Sequence, residues 1–544
     1  MAYAEKTPLE MFYHWEQTQP DKVFLRQPKA LQWTEYTWAQ IGDQARRLAA
    51  WLRGKQYPAG SRIAIWSSNT KDWMVADLAI MMADLVSVPL YPGQDVESAA
   101  YIFKHSESQL VLLGGFDQWR RADEAIPANV ERVAMIGCQV PCAHTLDDIL
   151  ATTAPIAGSP VCDPDSLWTL VYTSGTTGNP KGVMHHHITP GFVCPDLNLA
   201  FQNDAESRFF SYLPMSHIAE RILVAMCGLY AGGSISFSEG LATFADEIRS
   251  VQPTFFFSVP RLWIKFKEGI DAKVPPAMQA HLSAEQKQGI ARQLGLGAAK
   301  FIITGSAPCP RDVQQWFIDM GILLRDGYGM TENCIHGVGW IHNDQPVAGC
   351  VGKPFTGRIE VKLSDEGEIL FRSKALMKGY YLEPEKTAEV LRDGWYHTGD
   401  SGRFDEDGNL WITGRVSEVF KTTKGKFVRP IQLENHFGRS ELLAQFCVFG
   451  HGLDQPVAVV TLSETGRTQD QAIVATQLGA LLDAINAEVP PWERIAAVCV
   501  SGGEWTIDNG LLTPTMKLKR KAIEQAFRER VSGAVAAGEK VVFA

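Results

Sequence analysis

The run Tyr172-Thr173-Ser174-Gly175-Thr176-Thr177-Gly178-Asn179-Pro180-Lys181-Gly182 crowds hydroxyls, glycines and one lysine into a single stretch that holds no carboxylate. That mixture suits phosphate. Glycine lets backbone N–H groups close on an anion, hydroxyls donate further hydrogen bonds, and a lysine adds a positive point charge. The stretch departs from the G-x-x-x-x-G-K-[ST] loop, because Asn179 and Pro180 separate Gly178 from Lys181 and a glycine follows the lysine. Ordinary Ser/Thr/Gly surface turns seldom run so long without Asp or Glu.

Further chemistry lies downstream. Tyr328-Gly329-Met330-Thr331-Glu332 follows the apolar run Gly321 to Leu324 and so sits at a strand end. It offers an aromatic to stack on a base, a hydroxyl for phosphate and a carboxylate for a divalent cation. Trp395-Tyr396-His397-Thr398-Gly399-Asp400 sets a carboxylate behind a glycine turn, where it can accept from ribose hydroxyls. Gly414-Arg415 and Thr513-Pro514-Thr515-Met516-Lys517-Leu518-Lys519-Arg520 add cations. Taken singly, each has a plain alternative: a turn with a buried tyrosine, a β-turn carboxylate, a solvated basic helix start. Other features carry less. Gly295-Leu296-Gly297 is not a dinucleotide fingerprint, because position 300 is Lys300 and the segment precedes its strand. His185-His186-His187 are adjacent and diverge in direction, which disfavours one shared metal. Phe255-Phe256-Phe257 reads as a buried strand.

The elements that must position these groups alternate. Trp38 to Leu52 shows helical spacing of apolar residues, and Arg62–Trp66, Leu110–Leu113, Leu167–Val171, Ser234–Phe237, Thr254–Phe257 and Phe301–Ile303 read as strands. Helical patterns such as Ala219–Leu229 and Arg311–Met320 fall between them, which predicts α/β architecture with helix-covered parallel or mixed sheets. Met74 to Leu90 is the most apolar stretch, but Asp77 and Asp84 interrupt it and it is too short to span a bilayer. It is expected to be a buried helix leading into the strand Val86–Leu90. After about Gly349 the texture changes to short strands and turns, and beyond Arg415 it becomes lysine- and arginine-rich, which puts a main boundary near Gly414.

At 544 residues the chain is too long for one core. Its net charge of −10 argues against a dedicated nucleic-acid binder. Ten cysteines scattered without C-x-x-C pairs, and a start at Met1-Ala2-Tyr3-Ala4-Glu5-Lys6 without a secretory pattern, predict a reduced cytoplasmic protein.

Together, in this order, the motifs resemble those of the adenylate-forming superfamily over nearly the whole chain. Tyr212-Leu213-Pro214-Met215-Ser216-His217-Ile218-Ala219-Glu220-Arg221, Val259-Pro260-Arg261-Leu262-Trp263, Val86 to Pro92 and Asn509 to Thr515 are most similar to its long-chain fatty acyl-CoA synthetase branch. The resemblance implies a large N-terminal AMP-binding domain over 1–414, with a β-rich subdomain at about 349–414, and a small mobile α+β domain over 415–544. It implies that Thr173, Ser174, Gly175, Thr176, Thr177, Gly178 and Lys181 cradle the β- and γ-phosphates of ATP. Thr331 would lie near the α-phosphate and Glu332 on Mg²⁺. Gly305, Ser306, Ala307 and Pro308 with Tyr328 and Gly329 would hold the adenine, Asp400 the ribose, and Arg415 ribose or phosphate. Lys517 would contact carboxylate and α-phosphate, and His217 would wall the acyl pocket.

The implied activity joins a medium- or long-chain fatty acid to AMP and then to CoA. An acyl-AMP ligase that loads a carrier protein, a CoA ligase for an aromatic or short branched acid, and a nucleotide-binding pseudoenzyme are the alternatives. Peripheral contact with a membrane, to collect a fatty acid, is compatible with the sequence and marked by no anchor. Two positions depart from the family pattern. Ser417 stands where a hinge Asp or Lys is usual, and Thr423-Lys424-Gly425-Lys426 replaces Ser-Gly-Gly-Lys, leaving the form of that turn open and Lys424 as a candidate for CoA phosphates.

Overall fold

Strands that read as near-continuous apolar runs are expected to be buried on both faces in parallel sheets. Arg62–Trp66, Val86–Leu90 and Leu110–Leu113 form with the bounds read from sequence, and the first pairs in parallel with each of the other two. The computed structural model describes residues 5–173, 179–438, 440–512 and 518–544. The chain divides into two units: Met1–Cys309, Val313–Val361 and Phe371–Tyr396 form the first, and Pro310–Asp312, Lys362–Leu370 and His397–Ala544 the second. The division falls inside the strands Glu360–Leu363, Glu368–Arg372 and Trp395–Phe404.

Among the described residues, the first unit has two large sheets. One runs Gly379–Tyr380, Lys181–His186, Leu167–Thr173, Val86–Leu90, Arg62–Trp66, Leu110–Leu113, Glu131–Ala134, His144–Thr145, with only its first two junctions antiparallel. The other runs Leu324–Asp326, Phe301–Thr304, Phe255–Ser258, Arg208–Ser211, Ser234–Phe237, Val23–Lys29, Gln32–Thr37, parallel up to a closing antiparallel hairpin. The helix Trp38–Gly54 begins at Thr37, whose side chain caps Gln40 N while the Gln40 side chain returns to Thr37 N.

The helix Lys71–Met82 is buried at every residue, as an all-round apolar helix must be, and leads through Asp84 (φ 58°) into Val86–Leu90. Of its two deeply buried carboxylates, Asp72 pairs with the neighbouring Lys71 and Asp77 is balanced across the core. Arg221 places Nη2 2.5 Å from Asp77 Oδ1 and 2.9 Å from Ser87 Oγ, and donates from Nη1 to Thr169 Oγ1 at 2.7 Å. Its guanidinium lies 4.0 Å from the Trp168 ring centre and 5.2 Å from that of Trp73. The helical pattern at Ala219–Leu229 forms, but as a short turn Ile218–Glu220, a widened turn over Arg221–Met226 and a closing turn Cys227–Ala231. Such widened turns mark places where a helix makes room for an inserted group.

Beside it, Glu220 is fully buried and accepts at Oε1 from Ser211 Oγ (2.8 Å) and Tyr212 N (3.1 Å). Burial pushes its carboxyl up to about 8 from an ordinary 4.5. The folded state then keeps a proton that the unfolded chain releases, so this contribution to stability is complete below pH 4.5 and lost as pH rises through 8. Glu220→Gln keeps the acceptor oxygen and removes the titration. We expect its melting temperature to fall less than that of the parent between about pH 6.5 and pH 8.5; parallel curves in differential scanning fluorimetry would contradict this.

In the second unit, Leu443–Phe449, Val457–Leu462, Val498–Val500 and Val541–Phe543 form a sheet. Alternation sorts its side chains by face. Val448, Val460 and Val498 pack with Val474, Leu478 and Leu482 of the helix Gln471–Glu488, while Phe449, Val459 and Cys499 pack with Ile523, Val531 and Ala534 of Arg520–Ala537. Arg520 is mostly buried and bonded to Glu434, to the Val448 carbonyl at 2.8 Å and to Glu418 at 3.4 Å. The Thr423–Lys426 segment closes the hairpin of Phe420–Lys421 and Phe427–Val428, and Gly425 supplies the positive φ (75°) that its turn needs. Among the described residues, no helix is long and apolar enough to cross a membrane.

Candidate functional site

Pro180 opens a strand rather than a helix, and Lys181 at its start pairs directly with Thr173. The two ends of the hydroxyl-rich run are thereby held in register; Ser174, Gly175, Thr176, Thr177 and Gly178 lie outside the described residues. Lys181 Nζ stands 4.7 Å from the centre of the Tyr380 ring, and the Tyr380 hydroxyl donates to Glu332 Oε1 at 2.8 Å. One aromatic ring therefore touches a cation on its face and a carboxylate at its edge. Burial, and after it the Glu332 charge, holds the Tyr380 phenol well above its usual range.

Glu332 belongs to the short turn Thr331–Asn333, reached just after the strand Leu324–Asp326. The Glu332 carbonyl accepts from Met377 N at 2.7 Å, and the Thr331 carbonyl lies 2.7 Å from His185 Nε2. Tyr328 is fixed by paired backbone bonds with Val338, of 2.8 and 2.9 Å. Gly305 and Ser306 leave the adjacent strand Phe301–Thr304, and Ser306 takes φ 66°. A Cβ on Gly305 would meet the Gly327 carbonyl oxygen at 3.1 Å, and one on Gly329 would meet Ile335 Cα at 3.0 Å. Gly305, Ser306, Tyr328 and Gly329 line one narrow pocket with Ala219 and Leu223. A slot with glycine walls and a tyrosine beside it suits a flat base. Ala307 and Pro308 follow as exposed residues.

His217 caps the turn Ile218–Glu220, accepting at Nδ1 from Ala219 N (3.1 Å), and its ring meets Tyr91 edge-on at 6.3 Å between centroids. In the second unit, Asp400 and Arg415 face each other across paired strands, with Arg415 Nε 3.0 Å from Asp400 Oδ1. The glycine turn expected before Asp400 is a correction. Trp395–Phe404 runs through as one strand despite the positive φ of Gly399 (71°), with Asp400–Phe404 paired to Leu410–Arg415. Lys517 lies outside the described residues; on either side of that segment Leu512 and Leu518 form a bridge.

Sequence reasoning passed over His185 and Tyr380. The strand's period of two puts His185 and His186 on opposite faces, and His187 follows the strand's end. His185 and His187 are buried, and desolvation holds both down at about 4, so they are neutral. Among the described residues, no group of three or more His, Cys, Asp or Glu could hold a metal ion. The donor set instead fits a hard cation such as Mg²⁺ held by one carboxylate, Glu332, together with substrate phosphates.

The sequence profile described as AMP-binding enzyme matches residues 12–381, and that of the AMP-binding enzyme C-terminal domain matches residues 418–539. The chain is 28% identical over 579 residues to long-chain-fatty-acid--CoA ligase 5 of Rattus norvegicus, covering 92% of this chain and 84% of that one. It is 26% identical to long-chain-fatty-acid--CoA ligase FadD15 of Mycobacterium bovis, covering 95% of each. Its fold is shared with the A domain of carboxylic acid reductase from Segniliparus rugosus, solved with AMP and a co-purified carboxylic acid, at TM-score 0.79 and 22% identity over 98% of this chain and 95% of that one.

Proposed function

The chain belongs to the AMP-binding enzyme family of adenylate-forming ligases, and on that premise we propose that it activates a medium- or long-chain fatty acid as acyl-AMP, releasing pyrophosphate, and then transfers the acyl group to CoA, releasing AMP. The observation that carries the reading is the Tyr380 ring with Lys181 against its face and Glu332 at its edge. A cation for phosphate and a carboxylate for its counter-ion then stand one side chain apart.

A carboxylate is a poor acyl donor because its leaving group would be oxide, so the acid is first made into a mixed anhydride. Both reactants are negative, and positive groups must offset their repulsion as the carboxylate approaches the α-phosphorus. Lys181 holds the β- and γ-phosphates, Lys517 meets the carboxylate and α-phosphate, and Thr331 donates beside it. Mg²⁺, held by Glu332 and the phosphates, supplies further compensating charge when bound. Gly305, Ser306, Ala307, Pro308, Tyr328 and Gly329 hold the base, Asp400 the ribose, Arg415 the ribose or phosphates, and His217 walls the acyl site. We further propose domains of 1–414 and 415–544, and that Lys517 serves the first step and is withdrawn for the second. The relatives' names support a long-chain substrate and CoA as acceptor.

The test is a series of acids of rising chain length, assayed for AMP release with and without CoA. We expect multiple turnovers only with CoA, and a maximum at medium or long chains. A maximum with short branched or aromatic acids, or turnover that needs a carrier protein in place of CoA, would overturn the proposal.

A further inference from the structure

Two side chains outside the assigned motifs grip the Thr331–Glu332 turn. His185 is fully buried, with Nε2 2.7 Å from the Thr331 carbonyl oxygen. A carbonyl only accepts, so Nε2 carries the proton and Nδ1 is left as an acceptor. That Nδ1 is buried with no hydrogen-bond partner. An imidazole with one empty nitrogen is a poor choice for packing alone, since an aliphatic side chain would fill the same strand position and leave no polar atom unsatisfied. Its placement is explained by what the other nitrogen holds.

Tyr380 grips the same turn from the neighbouring strand. It pairs in register with Val183, two residues from His185, and its hydroxyl reaches Glu332 Oε1. Backbone bonds lock the two strands and the turn together: Met377 N to the Glu332 carbonyl at 2.7 Å, Lys378 N to Met184 O at 2.9 Å and Tyr381 N to Gly182 O at 2.8 Å. The strand that starts with Lys181 thus sets the Thr331 carbonyl through His185, and its neighbour sets the Glu332 carboxylate through Tyr380.

We infer that His185 and Tyr380 are positioning residues for acyl adenylation, presetting Thr331 and Glu332 against the phosphates and their divalent cation, an inference that rests on the reading of Glu332 given above. Misplacing a reacting constellation by about 1 Å can cost roughly 100-fold in rate. His185→Leu and Tyr380→Phe each remove one grip, and His185→Gln offers a replacement N–H donor.

Mn²⁺ binding, followed by the electron paramagnetic resonance of free Mn²⁺ in the presence of α,β-methylene-ATP, reads position without turnover. Acid-dependent pyrophosphate exchange and melting temperature complete the set. We expect His185→Leu and Tyr380→Phe to weaken Mn²⁺ binding by about 10-fold and to lower exchange kcat by about 10- to 100-fold. His185→Leu should melt no lower than the parent, and His185→Gln should recover most of the loss. Parent-like Mn²⁺ binding in both variants, beside a Glu332→Gln variant that has lost it, would overturn this inference alone. A drop in melting temperature shared by His185→Leu and His185→Gln, with equal losses of exchange, would overturn it in favour of a packing role. Parent-like Mn²⁺ binding in Glu332→Gln would overturn the reading of Glu332 and this inference with it.

Discussion

Replacing Lys517 by alanine is expected to lower acyl-AMP formation by about 100- to 1000-fold, the range for deleting one preorganised electrostatic stabiliser. The fatty carboxylate and ATP repel as they meet, and a lysine charge at the α-phosphate is worth most when the two are joining. Once the acyl-AMP exists, the incoming thiol attacks a carbonyl and no such anion pair has to be brought together. The same variant given preformed acyl-AMP and CoA should therefore make thioester at close to the parent rate. Folding should be spared, because the helix that follows is anchored by Arg520, through Glu434, the Val448 carbonyl and Glu418. Pyrophosphate exchange and single-turnover thioester formation separate the two steps; comparable losses in both would refute the division of labour assigned to Lys517.

The largest expected effect on stability comes from Asp77→Ala. Asp77 and Arg221 are almost wholly removed from solvent, at 1% and 0% side-chain exposure. Deleting the carboxylate strands a guanidinium between Trp168 and Trp73, with only Ser87 and Thr169 left to accept from it among the described residues. Breaking a buried pair from one side costs about 3–5 kcal/mol, whereas replacing both partners by apolar groups is often close to neutral. We expect urea denaturation to show that loss for Asp77→Ala, and Asp77→Ala with Arg221→Met to recover most of it. Additive losses in the double variant would mean that each residue is held by its own surroundings and not by the pair.

How much of this was readable in advance depended on how local the cause was. Arg62–Trp66 and Leu110–Leu113 take their predicted bounds because a strand buried on both faces is apolar at nearly every consecutive position. The α/β architecture with helix-covered mixed sheets followed from their alternation with helices. The glycine turn before Asp400 was misjudged locally, since Gly399 has the positive φ of a turn while the pairing of Asp400–Phe404 comes from Leu410–Arg415. The Thr423–Lys426 turn needed only one left-handed residue, which Gly425 provides, so Lys424 does not disturb it.

His185 and Tyr380 gave no local signal. Their partners lie 146 and 48 residues away, and a histidine among three adjacent ones suggests a metal before it suggests a carbonyl. Asp77 likewise read as an interruption of an apolar helix until Arg221, 144 residues on, was placed beside it. Motif residues could be proposed from their own chemistry; the groups that orient them became visible only once the strands were paired.

The central claim is that the acid's own oxygen bonds to the α-phosphorus of ATP. A fatty acid labelled with ¹⁸O in both carboxylate oxygens, turned over with ATP and CoA, tests it by mass spectrometry of the nucleotide product. The account predicts one ¹⁸O in AMP and the other in the thioester. Label in inorganic phosphate with ADP as the nucleotide product, or AMP free of label, would contradict it.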